Sequence, residues 1–219
     1  MSELARENGE ATLEQPIDRL IFLPLSRYLN VANFDAEDIQ DAILHKVRVA
    51  KSYSYFGQLN KGFDNKGFLI QFRGFILEAY VSEVLSRFAE ENPTFSKPKL
   101  SFPVEILGFQ LIRNSLGSIA IKRNDSDFAE FDSLYEFVER DLITPIVFEI
   151  GYLYGAKWKT DIKMGLVRQI YGVSPYLCEV VIRAGTVGLQ RVEREETRII
   201  NIPNGILIDS VAQDVLRKL

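Results

Sequence analysis

The sequence predicts an α/β fold in which a mixed central sheet is flanked by helices. A long helical segment precedes a run of strands, a second amphipathic helix follows that run, and another strand comes after the helix. Runs of strands between two helices are typical of a sheet with helices on its faces. The chain has 219 residues, of which 47% are hydrophobic, so it can bury one sizeable core.

The first part of the chain is predicted to be helical after a polar start. Residues 1–16 are polar, and we expect them to be mobile. Residues 17–66 are expected to form a helical addition to the main fold. Within it, Asn33 or Asp35 can cap a helix whose apolar residues recur at helical spacing from Ile39 onwards.

Residues 67–219 are predicted to form the α/β core, which opens with the strongest helical pattern of the chain. Apolar side chains form a broad stripe over residues 67–91, and Asn92-Pro93 ends the helix. The later predicted elements are a hairpin over residues 104–112 and 118–122, two acid-bearing strands over 129–135 and 145–151, a loop and amphipathic helix over 154–171, a strand over 176–182, a hairpin or edge strand over 191–202, and a last helix from Asp209 or Ser210 to Leu219.

Composition excludes several kinds of site. The net charge of −4 means that nucleic-acid binding cannot be argued from the overall charge, so any basic surface has to be local. Cys178 and His45 are the only residues of their types, which excludes an intramolecular disulfide and sites built from several cysteines or histidines. Carboxylates would have to hold any bound metal.

The sequence contains no pattern that predicts membrane insertion or secretion. No apolar run approaches the roughly 20 residues of a membrane span. The first fifteen residues carry four glutamates and lack the basic start and apolar centre of a signal peptide. We therefore expect a cytoplasmic location.

The two acid-bearing strands are the most informative feature. Asp132 and Glu149 each interrupt an otherwise apolar strand, where an unpaired buried carboxylate would be costly. On neighbouring strands they would form an oxygen-rich site suited to Mg²⁺ or Mn²⁺. By strand parity Glu130 lies on the same face as Asp132, either as a third ligand or as a solvated side chain.

The order of these elements resembles the PD-(D/E)XK nuclease superfamily. The matching pieces are Arg73-Gly74-Phe75-Ile76-Leu77-Glu78 on the first helix, Glu130-Phe131-Asp132 on one strand and Phe148-Glu149-Ile150-Gly151 on the next. The segment Val167-Arg168-Gln169-Ile170-Tyr171 is similar to the helix where many members place a glutamine. The resemblance covers residues 68–184.

The resemblance implies a restriction-endonuclease-like fold and a metal-dependent endonuclease that hydrolyses DNA. It implies that Asp132 and Glu149 bind Mg²⁺ or Mn²⁺ and that the Ile150 carbonyl adds an oxygen ligand. Glu78 would contribute directly or through water, and Gln169 would orient water or a metal ligand.

Gly151 departs from the family pattern, because members usually carry a lysine there. Lys157, Lys159 and Lys163 are candidates to replace it, and Lys163 is favoured because it lies on the helix that packs beside the sheet. The alternative is that catalysis has been lost and the fold retained for binding nucleic acid or a protein.

A local basic cluster follows the second acid-bearing strand. Lys157, Lys159 and Arg168, with Trp158 among them, can grip phosphates and stack on bases, or they can form a solvated helix face. Arg73 is a further candidate phosphate contact, although a pair with a helix carboxylate is favoured.

DNA, a second copy of the chain and another protein are the candidate partners. DNA is the leading partner, and a homodimer is expected because many nucleases of this fold are dimers. The final helix, with Val211, Val215 and Leu216, or the hairpin over residues 191–202, could form the two-fold interface. A protein-interaction module without nucleic acid is the third hypothesis, based on the net acidity and the aromatic content of 11%.

Overall fold

Two β-sheets organise the computed structural model, which describes residues 15–31, 37–52, 66–114, 117–151, 157–182, 188–191, 196–202, 211–215 and 217. The strands are β1 (Phe95–Ser96), β2 (Val104–Ile106), β3 (Phe109–Arg113), β4 (Ile119–Arg123), β5 (Ser126–Phe131), β6 (Ser133–Glu139), β7 (Leu142–Gly151), β8 (Tyr176–Ile182), β9 (Gly188–Arg191) and β10 (Thr197–Ile202). The helices are α1 (Leu23–Val31), which continues a π-helical turn at Asp18–Phe22, then α2 (Glu37–Ser52), α3 (Lys66–Glu91) and α4 (Lys157–Tyr171), and residues 211–215 are also helical.

The larger sheet is mixed, as the sequence predicts. Its order is β1-β6-β7-β8-β10-β9. β7, β8 and β10 run parallel to one another, whereas β1 and β6, β6 and β7, and β9 and β10 pair antiparallel. The chain therefore has a mixed α/β fold with helices against a mixed central sheet.

A second, antiparallel sheet of order β2-β3-β4-β5 was not expected as a separate unit. The prediction of one strand over residues 129–135 is wrong, because β5 ends at Phe131 and β6 begins at Ser133 in the other sheet. The carboxylate of Asp132 accepts a hydrogen bond from the Ile150 backbone N–H at 2.6 Å. This side-chain oxygen satisfies a β7 donor at the point where the chain leaves the ladder.

Most of the predicted elements of the core are confirmed. α3 begins one residue before the predicted start and ends at the predicted residue, and β8 has the predicted bounds. β9 and β10 pair antiparallel as the predicted hairpin, and β9 rather than β10 lies at the edge of the sheet. The four predicted caps, Asn33, Asp35, Asp209 and Ser210, lie outside the described residues. None of the described helices combines the length and apolar character that a membrane-crossing helix requires.

Each face of the larger sheet is covered by its own hydrophobic core. On one face, residues from α1, α2 and α3 pack against β6, β7 and β8, and Tyr80 and Phe148 are fully buried there. On the other face, α4 and the small sheet pack against β6, β7 and β8 through residues such as Phe131 and Val147. Phe148 and Val147 are adjacent in β7 and belong to different cores, because successive side chains of a strand point to opposite faces of the sheet.

The C-terminal helix contributes to the first of these cores. Val211 and Val215 are only 3% and 2% exposed and pack in the core on the α3 face. The chain buries these two valines itself, so they do not form an exposed surface, and the dimer stays a prediction. Leu216 lies outside the described side chains.

The N-terminal helical segment is tied to the central sheet. Asp18 is fully buried, and its carboxylate accepts hydrogen bonds from Arg198 Nε at 2.5 Å and Nη2 at 2.9 Å. Gln15 also accepts a hydrogen bond from the Tyr176 hydroxyl. The segment predicted as an addition thus shares a core with the sheet, while residues 1–14 of the predicted mobile terminus lie outside the described part of the chain.

We predict that Asp18→Ala lowers the free energy of unfolding by about 3–5 kcal/mol, because it leaves the buried Arg198 guanidinium without its carboxylate. Urea unfolding monitored by circular dichroism measures this change. Asp214→Ala is the matched control, since it removes an exposed ion pair with Arg217 and should cost less than about 1 kcal/mol. Equal effects of the two substitutions would contradict the prediction.

Candidate active site

Asp132 and Glu149 lie opposite each other at one end of the β6–β7 ladder. The register pairs Ser133 with Phe148, so continuing the antiparallel ladder by one residue brings Asp132 beside Glu149. The bond from the Ile150 N–H to Asp132 fixes this juxtaposition. The two acids singled out from the sequence are therefore neighbours.

Glu78 joins these acids from α3, which packs against β7. Burial raises the pKa of Glu78 to about 8, and the negative charges of Asp132, Glu130 and Glu149 contribute to the rise in the same direction. The charges of these neighbours reach Glu78, so we group Glu78, Asp132 and Glu149 on electrostatic grounds as the acid cluster.

The electrostatics of the two strand acids differ because of their partners. Burial and the charge of Glu149 raise the pKa of Asp132 to about 7, although the Ile150 N–H bond and Lys163 oppose the shift. Burial also raises the pKa of Glu149, and Lys163 opposes that rise. The cluster therefore holds its protons more tightly than separate carboxyl groups in water would.

Lys163 supplies a positive charge to this cluster. Its side chain is only 7% exposed, its ammonium forms an ion pair with Glu149 Oε1, and it donates to the backbone carbonyl of Glu130 at 3.0 Å. α4 connects the parallel neighbours β7 and β8, so it lies against the sheet and directs Lys163 towards β7. Of the three candidate lysines, Lys163 reaches an acid of the cluster, whereas the side chains of Lys157 and Lys159 lie outside the described part.

Glu130 does not occupy the position that strand parity predicted. Its exposed carboxylate accepts hydrogen bonds from Asn114 Nδ2 at 3.0 Å and from the Ser118 hydroxyl. Parity fails because the chain changes sheets at Asp132, so Glu130 is paired with Ala120 in the small sheet. Its backbone carbonyl, rather than its carboxylate, is the group that contacts Lys163.

Gln169 is not brought into contact with the acids. It is exposed on α4, six residues and about 9 Å along the helix axis from Lys163. The hydrogen bonds described for this part of the chain do not join it to the cluster. No described contact supports the expectation that Gln169 orients a metal ligand.

The predicted phosphate contacts are only partly described. Arg168 is exposed and donates to the Ser174 hydroxyl at 2.7 Å, so it lies on the outer side of α4. Arg73 is partly buried on α3. The side chain of Trp158, like those of its neighbours Lys157 and Lys159, lies outside the described residues.

Glu179 is a residue of this region that the sequence analysis missed. It lies on β8 directly beside Glu149 in the parallel register, and burial together with the charge of Glu149 raises its pKa. Its Oε2 atom is buried and has no hydrogen-bond partner among the residues that the structure describes. The signal was available, because Glu179 is the single acid of an apolar strand, as Glu149 is of β7.

A second polar contact fixes the far end of α4. Glu136 on β6 is 2% exposed and accepts hydrogen bonds from the Tyr171 hydroxyl at 2.8 Å and the Lys99 N–H at 3.2 Å. Tyr171 is the last residue of α4, eight residues after Lys163. The helix is thus anchored to the sheet at two points, which limits how far Lys163 can shift.

The donor set fits a hard divalent cation such as Mg²⁺ in charge and in ligand type. Glu78, Asp132 and Glu149 offer carboxylate oxygens, and a nearby cation would favour the ionised forms that burial and neighbouring negative charges disfavour. Within the described ranges, no three metal-binding side chains are already converged on one point. One oxygen of Glu149 is engaged by Lys163.

Comparison of the chain with protein-family models, with curated proteins and with solved structures found no match. The interpretation of this site therefore depends on its own geometry and charges.

We predict that Glu78→Gln stabilises the metal-free protein more at high pH than at low pH. Between about pH 4.5 and pH 8 the folded protein holds a proton on Glu78 that the unfolded chain has lost, so stability falls as the pH rises through this window. Glutamine does not titrate, so the variant does not lose this stability as the pH rises. The difference in Tm between variant and parent should grow by at least about 2–4 °C from pH 5 to pH 9, which is about 1 kcal/mol for a chain of this size.

Thermal unfolding in the presence of a chelator measures this difference. Glu90→Gln on the same helix is the control, and it should show no comparable trend because Glu90 is exposed to water. A Glu78→Gln difference that stays constant from pH 5 to pH 9 would refute the raised pKa of Glu78.

Proposed function

We propose that this protein is a metal-dependent nuclease with a restriction-endonuclease-like core that hydrolyses phosphodiester bonds in DNA. The observation that carries the proposal is the pairing of Asp132 with Glu149 at the end of the β6–β7 ladder, together with the contact of Lys163 with Glu149. Glu78 comes from α3, Asp132 from the strand junction, Glu149 from β7 and Lys163 from α4.

The residues of this cluster have distinct roles in the proposed reaction. Asp132 and Glu149 would hold Mg²⁺ or Mn²⁺, with Glu78 beside them and the Ile150 carbonyl as a further oxygen donor. A bound divalent cation activates water, neutralises the phosphate and stabilises the leaving oxygen. Lys163 provides a positively charged donor for the attacking water or a phosphate oxygen.

The position of Lys163 supports a catalytic interpretation in spite of Gly151. A lysine is usual at the position of Gly151 in the nucleases that this chain resembles, and here an ammonium reaches Glu149 from the neighbouring helix instead. DNA as the substrate rests on the resemblance, since the net charge is −4 and the proposed contacts Lys157, Trp158, Lys159, Arg168 and Arg73 are local.

A binding protein without catalysis is the second candidate. It is favoured by one observation, namely that Lys163 already neutralises Glu149 without any metal. Such a protein would retain the acid cluster as a structural feature and would bind nucleic acid or a protein through other surfaces.

We predict that the protein cleaves DNA with Mg²⁺ or Mn²⁺ and that Asp132→Asn abolishes cleavage. Asparagine keeps an oxygen that can accept the bond from the Ile150 N–H, so this substitution removes the charge while preserving the strand junction. Asp132→Ala, which removes both, should also abolish cleavage. Gel assays on single-stranded, double-stranded and branched DNA measure the activity.

Asp127→Asn is the matched control, because Asp127 is on β5 with a side chain that is 85% exposed. It should cleave at the parental rate. Cleavage by Asp132→Asn at the parental rate would refute the site. A parent that binds DNA in a salt-dependent manner but cleaves none of the forms would favour the second candidate.

A further inference from the structure

We propose that Lys163 is an internal counter-cation that occupies Glu149 in the metal-free protein and is displaced from it when a divalent cation binds. This inference rests on the proposed function, because it concerns the same acid cluster. It adds that the site exists in two states, one neutralised by the protein's own lysine and one by the metal.

Lys163 cannot be buried without a partner that compensates its charge. Its side chain is 7% exposed, and a buried ammonium is tolerated only when it is paired and hydrogen-bonded. The described acceptors are the Glu149 carboxylate and the Glu130 carbonyl. Only the carboxylate carries a charge, so the ion pair with Glu149 is what permits the burial.

The lysine and a divalent cation also compete for the same carboxylate. Mg²⁺ binds carboxylate oxygens at short distances, roughly 2.0–2.1 Å. The Lys163 ammonium is in direct contact with Glu149 Oε1. A second cation on the same carboxylate would lie close to the ammonium, and the two positive charges would repel each other in a partly buried site.

Glu149 is the acid that a cation at this site meets first, because it lies between Asp132 and Glu179 in the strand order β6-β7-β8. Asp132 has one oxygen committed to the Ile150 N–H, and the Glu130 carboxylate is turned to Asn114 and Ser118. A cation held by Asp132 together with Glu179 would therefore also lie beside Glu149 and its lysine.

Lys163 has to take a new position after it leaves Glu149. The bond to the Glu130 carbonyl is independent of the acids, and α4 is anchored at its far end by Tyr171 and Glu136. Lys163 released from Glu149 loses the charge that permits its burial, so its ammonium turns towards water at the edge of the site while α4 stays in place. There it can meet the water or phosphate that the proposed reaction requires.

Isothermal titration of Mn²⁺ into the DNA-free protein tests the competition without using activity. Lys163→Met should bind Mn²⁺ at least about tenfold more tightly than the parent, because it removes a competing positive charge from Glu149. Lys122→Met, which removes a lysine near Asp127 on the small sheet, should leave the affinity unchanged. Equal or weaker binding by a folded Lys163→Met would overturn the inference.

Amine labelling of the parent protein tests the displacement itself and does not depend on the variant folding. Reductive methylation followed by peptide mass spectrometry should label Lys163 slowly without metal and several-fold faster with saturating Mn²⁺, whereas labelling of Lys122 should not change. Unchanged labelling of Lys163 at saturation would overturn the inference, because the lysine would then still hold Glu149.

The two proposals fail in distinguishable ways. If the parent binds no Mn²⁺ at millimolar concentration, both the metal-dependent function and the displacement of Lys163 are refuted. A parent that binds Mn²⁺ and cleaves DNA while Lys163 stays protected leaves the proposed function standing and removes only the displacement.

Discussion

Charge compensation at the end of the β6–β7 ladder is the constraint on which the surrounding arrangement depends. Glu78, Asp132 and Glu149 come from three elements and have raised pKa values in a shared, largely buried site, so their assembly costs free energy unless a cation is near. Lys163 supplies that cation from α4. Lys163 opposes the rise in the pKa of both strand acids, and its ion pair with Glu149 ties α4 to β7.

Asp132 connects this electrostatic constraint to the topology. The chain leaves the small sheet and enters the large sheet at this residue, and the Asp132 carboxylate satisfies the Ile150 N–H at the break. A neutral apolar residue would leave that donor without this acceptor. The acid at this position therefore has a structural role besides its charge. Asp132→Asn removes the charge alone, whereas Asp132→Ala removes the charge and the hydrogen bond, so the two substitutions separate these roles.

Local patterns predicted the elements well, and non-local pairing explains the failures. The apolar stripe of α3 and the branched residues of β8 are visible within their own segments, so their bounds agreed with the structure. Glu130 was misplaced because parity assumes an unbroken strand. Glu179 is visible locally as the single acid of its strand, but only the pairing of β8 with β7 places it beside Glu149. The electrostatic interaction of Glu78 with the strand acids likewise depends on how α3 packs, for which only the resemblance offered a guide.

Lys163 shows how a crossover helix can deliver a charge that a strand position would otherwise provide. β7 and β8 are parallel neighbours, so the chain between them must cross the sheet, and α4 is that crossing. A long side chain on its inner face can reach β7 from above, and a lysine at Gly151 is not needed to bring an ammonium to Glu149. A helix-borne lysine differs from a strand-borne one in one respect. Its position depends on the packing of the whole helix, and here the Tyr171–Glu136 bond holds the other end of that helix. The position of the ammonium beside Glu149 therefore depends in part on the Tyr171–Glu136 contact, eight residues along the helix. A lysine within the strand would not depend on such a contact.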